Sequence, residues 1–179
     1  MKRGAMEQMV YVALLTAVAT VMGLIESTFP PFFGFAPGAK IGLPNLVMII
    51  ALFTLRWPQV WTIEVLRLLI TGLFTGFSVM IYSTAGGVLS LLAMYAVKAL
   101  GPRLVSFIGV SVVGGFFHNA GQLLAAAWIA QTPSVLGYLP WLAFFGLLAG
   151  FVIGIGGNQL IWRIRPITVL FQERSGRWS

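Results

Sequence analysis

Glu64 and Arg67 stand three residues apart inside an apolar run that begins at Pro58. On a helix that spacing puts both side chains on one face, within pairing reach. Ionisable groups inside a bilayer are costly and are kept for a reason. Two reasons are open for this pair. It can lock the bundle internally, or Arg67 can face a cavity and hold an anionic group by bidentate hydrogen bonds, with Glu64 orienting the guanidinium.

His118, Asn119 and Gln122 bring an imidazole and two amides within five residues of another apolar run. His118 and Gln122 are four apart and share a helix face. A lone buried histidine is more often a packing residue than a ligand, but three such groups together point to the lining of a pocket. Glu26, Lys40 and Asn45 flank the first long interruption of the apolar pattern, and each alone reads as ordinary interfacial solvation. Tyr82, Ser83, Gly86, Gly87 and Ser90 form a small-residue face. Such faces let helices approach closely, and bare backbone can also touch a ligand.

The chemistry excluded is as informative. With no cysteine, one histidine and four acidic residues, disulfides, thiolate catalysis and sulfur-ligated metals are ruled out. No metal, cofactor or catalytic residue is expected. A phosphate-binding loop of the Walker type is missing from the chain, so ATP hydrolysis by that route is excluded too.

These groups need elements to position them, and composition says what kind. Of 179 residues, 59% are hydrophobic and 8% charged, with a mean hydropathy of +0.95. Soluble domains carry about 25% charged residues, so lipid must be the solvent for most of this chain. The basic start Met1-Lys2-Arg3 leads into an apolar run too long for a signal-peptide core, and a retained first helix is expected. A span takes about 20 apolar residues. Six helices satisfy the pattern, at about 9–27, 44–55, 58–76, 78–100, 103–130 and 140–162, with a polar tail over 163–179. The second is short, and it is expected to start below the membrane surface, with part of the Gly/Pro-rich loop before it dipping in. The whole chain reads as one integral membrane domain, an all-α six-helix bundle.

Charge sets the orientation. With a cytoplasmic N-terminus, the inner side holds Lys2, Arg3, Arg56, Lys98, Arg103, Arg163, Arg165, Arg174 and Arg177, and the outer side only Lys40. Nine against one places both termini in the cytoplasm. The net charge of +7 is spread as a topology signal and not gathered into a nucleic-acid face. Glu26, Lys40, Asn45, His118, Asn119 and Gln122 then lie towards the outer side, with Arg67 near the middle below them. This predicts a pocket open to the outside over a closed inner floor, which suits capture of a solute better than a channel. Two small-residue ladders remain, Ala13 and Ala17 on the first helix and Gly146, Gly150 and Gly154 on the sixth. Both permit close contact within the chain or with a partner.

Three segments together resemble a known membrane family: 37–45 (Pro-Gly-Ala-Lys-Ile-Gly-Leu-Pro-Asn), 82–90 (Tyr-Ser-Thr-Ala-Gly-Gly-Val-Leu-Ser) and 118–123 (His-Asn-Ala-Gly-Gln-Leu), with Leu66-Arg67 beside them. The family is catalogued as Gx transporters and also labelled heptaprenyl diphosphate synthase component I. It is similar to the substrate-binding S-components of energy-coupling-factor transporters. The resemblance covers about residues 9–162. It implies six helices, a substrate pocket near the outer face, and a partnership with a transmembrane coupling subunit and two ATPase subunits, met through Ala13 and Ala17. It also implies a multi-pass protein of a prokaryotic-type plasma membrane. Prenyl diphosphate synthases use aspartate-rich motifs to hold magnesium on diphosphate, and this chain has no aspartate.

The first reading is therefore an S-component-like protein that captures a small anionic solute of vitamin, flavin or isoprenoid type. Arg67 and Lys40 would supply charge, His118, Asn119, Gln122, Asn45, Glu26 and Tyr82 the remaining contacts, and the loop from Phe29 to Phe35 an apolar lid. The second is a non-catalytic accessory subunit docking a soluble prenyl diphosphate synthase and passing lipid-soluble product into the bilayer. The third is a structural subunit whose polar groups are interhelical glue.

Overall fold

The computed structural model describes residues 3–28 and 42–172, with side chains described over 6–28 and 42–163. Among the described residues there are six α-helices and no strand: α1 (Arg3–Thr28), α2 (Leu43–Thr54), α3 (Trp57–Thr75), α4 (Phe77–Lys98), α5 (Phe107–Ala130) and α6 (Leu139–Gln172). A 3-10 helix, Pro133–Tyr138, leads into α6. Four segments are long and apolar enough to cross a membrane: Met6–Thr28, Phe77–Lys98, Phe107–Ala130 and Pro133–Arg163. The chain is a multi-pass membrane protein.

Helix ends follow local chemistry. Pro44 and Pro58 fill early helical positions, where the missing N–H costs nothing. Helix α5 begins at Phe107, four residues later than the expected Arg103. Gly101 takes a left-handed turn at φ 83°, and Ser106 then caps the helix by accepting from Gly109 N at 3.0 Å. Helix α6 runs ten residues beyond the expected Trp162, through Pro166, so most of the expected polar tail is helical. The Phe29–Phe35 lid and Lys40 lie outside the described residues.

Successive helices alternate in direction, so the bundle has two ends. At the basic end, Arg56, Lys98 and Arg103 sit near the α2–α3 and α4–α5 connections. There Trp57 stacks on Tyr95 at 4.0 Å, Phe53 meets Phe107 at 4.7 Å, and Lys98 Nζ donates to Leu52 O at 2.6 Å. An ammonium on one of the last carbonyls of α2 complements that helix's negative end. From this end, the apolar core of Tyr11, Leu15, Met48, Ile63, Leu91 and Met94 fills about half the bundle.

The α5–α6 and α4–α5 pairs pack most closely, and glycine makes this possible. A Cβ on Gly150 would lie 2.6 Å from Ser111 O, and one on Gly121 would lie 2.6 Å from Ala85 O. The Gly146–Gly150–Gly154 ladder is thus used inside the chain, against α5. Ala13 and Ala17 differ: both are exposed, among the exposed Val10, Leu14, Val18 and Val21.

Candidate functional site

Above the apolar core, polar side chains from α1, α2, α3 and α5 form a layer, with two glycines of α4 against it. Helix α2 rises only about 18 Å over its 12 residues, so its N-terminus opens at mid-bundle and not at the far end. Gly42 precedes it in the left-handed region, φ 81°, a conformation that favours glycine. Glu26 of α1 reaches this point and accepts hydrogen bonds from Gly42 N and Leu43 N. A carboxylate on the first free N–H groups of a helix is both capped and electrostatically favoured. The sequence marked Glu26 as a ligand contact, and its described bonds are to the start of α2.

Asn45, one turn into α2, is 5% exposed. Its Nδ2 and the Cδ2 of His118 both lie within 4 Å of the point where a Cβ on Gly42 would stand. Asn45 and His118 are thereby brought together from α2 and α5. His118 stands midway along α5, deeper than the outer-half position expected, because the helix begins at Phe107. Its Nε2 contacts Gln122 Nε2 at 3.2 Å, the four-residue spacing read from the sequence. Gly86 of α4 makes room for both: a Cβ there would meet Gln122 Cγ and His118 O, each at 2.7 Å.

The adjacent glycine does the same for the ion pair. Arg67 Nε donates to Glu64 Oε2 at 2.7 Å and Nη2 to Glu64 Oε1 at 2.6 Å, with the residues 4% and 1% exposed. A Cβ on Gly87 would lie 2.8 Å from Arg67 Nη2. Since successive helical residues point about 100° apart, Gly86 and Gly87 let α4 touch α5 on one side and α3 on the other. Of the two roles open to Arg67, the described geometry is the internal pair. The guanidinium is therefore not an unopposed cation.

Other expected residues fall elsewhere. Asn119 faces α6 and donates from Nδ2 to Leu142 O at 3.0 Å, a tie between helices. Tyr82 is half-buried, and no described contact joins it to the layer. Lys40 is outside the described residues. One participant was missed. Thr71, on the Arg67 face four residues on, is buried, with its Oγ1 3.4 Å from the position of a Cβ on Gly23 and Pro44 Cγ 3.5 Å from the same position. The i,i+4 step from Arg67 was the available signal.

Buried polar atoms are nearly always hydrogen-bonded, and this layer departs from that rule. Asn45 Nδ2, Thr71 Oγ1 and Gln122 Oε1 have no partner among the described residues. No group of three or more metal-ligating side chains occurs among those residues either. The unpartnered atoms, an amide N–H, a hydroxyl and an amide oxygen, all belong to neutral side chains.

Residues 15–160 match the family model described as heptaprenyl diphosphate synthase component I. Searches of curated proteins and of solved structures gave no match. The matched span holds the α2 cap, the Glu64–Arg67 pair, the paired glycines and the His118–Gln122 face, and the chain belongs to the heptaprenyl diphosphate synthase component I family.

Proposed function

We propose that this chain is a membrane-embedded capture subunit, which holds the polar head of a small solute in the mid-bundle layer and passes it to partner subunits. The observation that carries this reading is the set of buried, unpartnered groups on three helices, Asn45, Thr71 and Gln122. Leaving such groups unmet costs about 1–3 kcal/mol each, and polar residues kept inside a span at a cost mark substrate sites. Around them sit Glu26, His118 and the Glu64–Arg67 pair as positioning groups. In this reading six helices span a prokaryotic-type plasma membrane with both termini cytoplasmic, as the nine-to-one Lys/Arg distribution favours. The layer then opens outward over the aromatic and apolar floor at the basic end. The chain itself performs no covalent chemistry. The exposed Ala13–Ala17 face suits close approach of a transmembrane coupling subunit working with two ATPases.

A second reading has its own support in the family description, which names a synthase component. Here the chain is a non-catalytic membrane partner of a soluble prenyl diphosphate synthase, and the layer receives the head of an isoprenoid product. Both readings share the layer and differ in the company the chain keeps. Gentle extraction followed by native mass spectrometry separates them. Capture for uptake expects a retained small molecule, weakened by His118→Ala, and co-extracted ATPase subunits. A synthase brought down without any ATPase would overturn the transport half of the proposal and establish the second reading.

A further inference from the structure

Building on the capture reading, we infer that the head group held by the polar layer is electrically neutral and carries both a hydrogen-bond donor and an acceptor, as a hydroxyl, an amide or a heterocyclic lactam does. Charge argues first. The arginine of the layer is closed on Glu64 through two of its nitrogens, at 2.7 and 2.6 Å. The other carboxylate, Glu26, accepts from the N-terminus of α2. A phosphate or carboxylate arriving at this layer would find the guanidinium already matched by Glu64. Buried charge without a dedicated partner is strongly disfavoured.

Hydrogen-bond capacity argues second. Thr16, Thr20, Thr54, Thr62, Thr75 and Thr84 each donate to the carbonyl four residues back, at 2.7–2.9 Å. That bond is the default for a helical threonine with no better partner. Thr71 alone among the described helical threonines keeps its hydroxyl off its own helix, and it is 7% exposed. Asn45, 5% exposed, holds out an amide N–H at the same level of the bundle. Gln122, 4% exposed, holds out an amide oxygen beside its contact to His118. A hydroxyl, a donor and an acceptor together match a head that both gives and receives. A diphosphate, all acceptor, would use the donors of this set and bring no donor of its own to the amide oxygen.

The test is thermal unfolding of the full chain in detergent, washed free of small molecules, for wild type, Thr71→Val and Asn45→Leu. Inorganic pyrophosphate serves as the probe of an anionic head, against sodium chloride of equal ionic strength. Each substitution replaces an unmet polar group by an apolar one of like shape, and each is expected to raise Tm by about 2–4 °C. Millimolar pyrophosphate is expected to leave the wild-type Tm where sodium chloride leaves it. Stabilisation by pyrophosphate beyond the salt control would overturn the neutral head while the capture reading stands, and would report any cation able to hold an anion, Lys40 included. A fall in Tm for both variants would overturn more: the groups would then be structural glue, and the capture reading would go with the inference.

Discussion

In the half of the bundle nearest the basic end, polar atoms are few and tied. Tyr11 Oη reaches Thr54 Oγ1 at 3.2 Å, Thr54 donates to Ile50 O at 2.8 Å, and Lys98 closes the end of α2. Around them Met48, Ile49, Ile63, Leu91 and Met94 are almost wholly buried. About one or two helical turns higher, the same helices carry Asn45, Arg67, Thr71, Gly86 and His118, and three polar atoms there find no described partner. The first half spends its side chains on stability. The second tolerates unmet groups that the first would hold stable, a division expected of a scaffold beneath a binding layer.

The sharpest way to break that division is at the seam between the halves. Gly87→Val would drive a side chain into the Glu64–Arg67 pair. Overpacking and loss of a buried pair together are expected to cost at least about 4 kcal/mol, seen as loss of folded protein in fluorescence-detected size exclusion. Glu64→Ala comes next. It leaves Arg67 buried without its carboxylate, at a cost of about 3–5 kcal/mol, whereas the double change Glu64→Leu with Arg67→Met is expected to recover most of it. Recovery of the fold in that double variant would mark the pair as a stability device; persistent loss would give it a further role.

Smaller effects sharpen the contrast. Asn119→Ala removes the bond to Leu142 O and is expected to cost about 1 kcal/mol in detergent unfolding, with ligand occupancy unchanged. Reduced occupancy at unchanged stability would move Asn119 into the binding layer. Lys98→Met removes the cation from the α2 carbonyl end, with an expected loss of about 0.3–1 kcal/mol at low salt that shrinks as salt is added. A loss independent of salt would point to the short-range contacts of the ammonium, its bond to Leu52 O and its place 4.9 Å from the Phe53 ring centroid, and not to the long-range field of the helix end.

Much of this was legible in the chain. Helix order follows from apolar runs punctuated by Pro30-Pro31, Pro58, Gly101-Pro102 and Pro133, and Glu64–Arg67 and His118–Gln122 follow from spacing alone. The sequence did not distinguish a carboxylate that binds a ligand from one that caps a helix, as Glu26 does, because that depends on where the N-terminus of α2 lands. Nor could it say that Asn119 turns towards α6 while its neighbour His118 turns towards α2 and α4. A single residue step rotates a side chain by about 100°, and only packing says which way is inward. The two small-residue ladders make the same point: identical spacing, one consumed within the fold by α5 and one left exposed.

The most direct measurement is small-molecule occupancy by native mass spectrometry, comparing wild type with the Thr71→Val, Asn45→Leu double variant extracted in the same mild detergent. Wild type should carry a bound small molecule that the double variant lacks, while the variant unfolds at the same or a higher temperature. Equal occupancy in the two proteins would contradict a binding layer built on these residues.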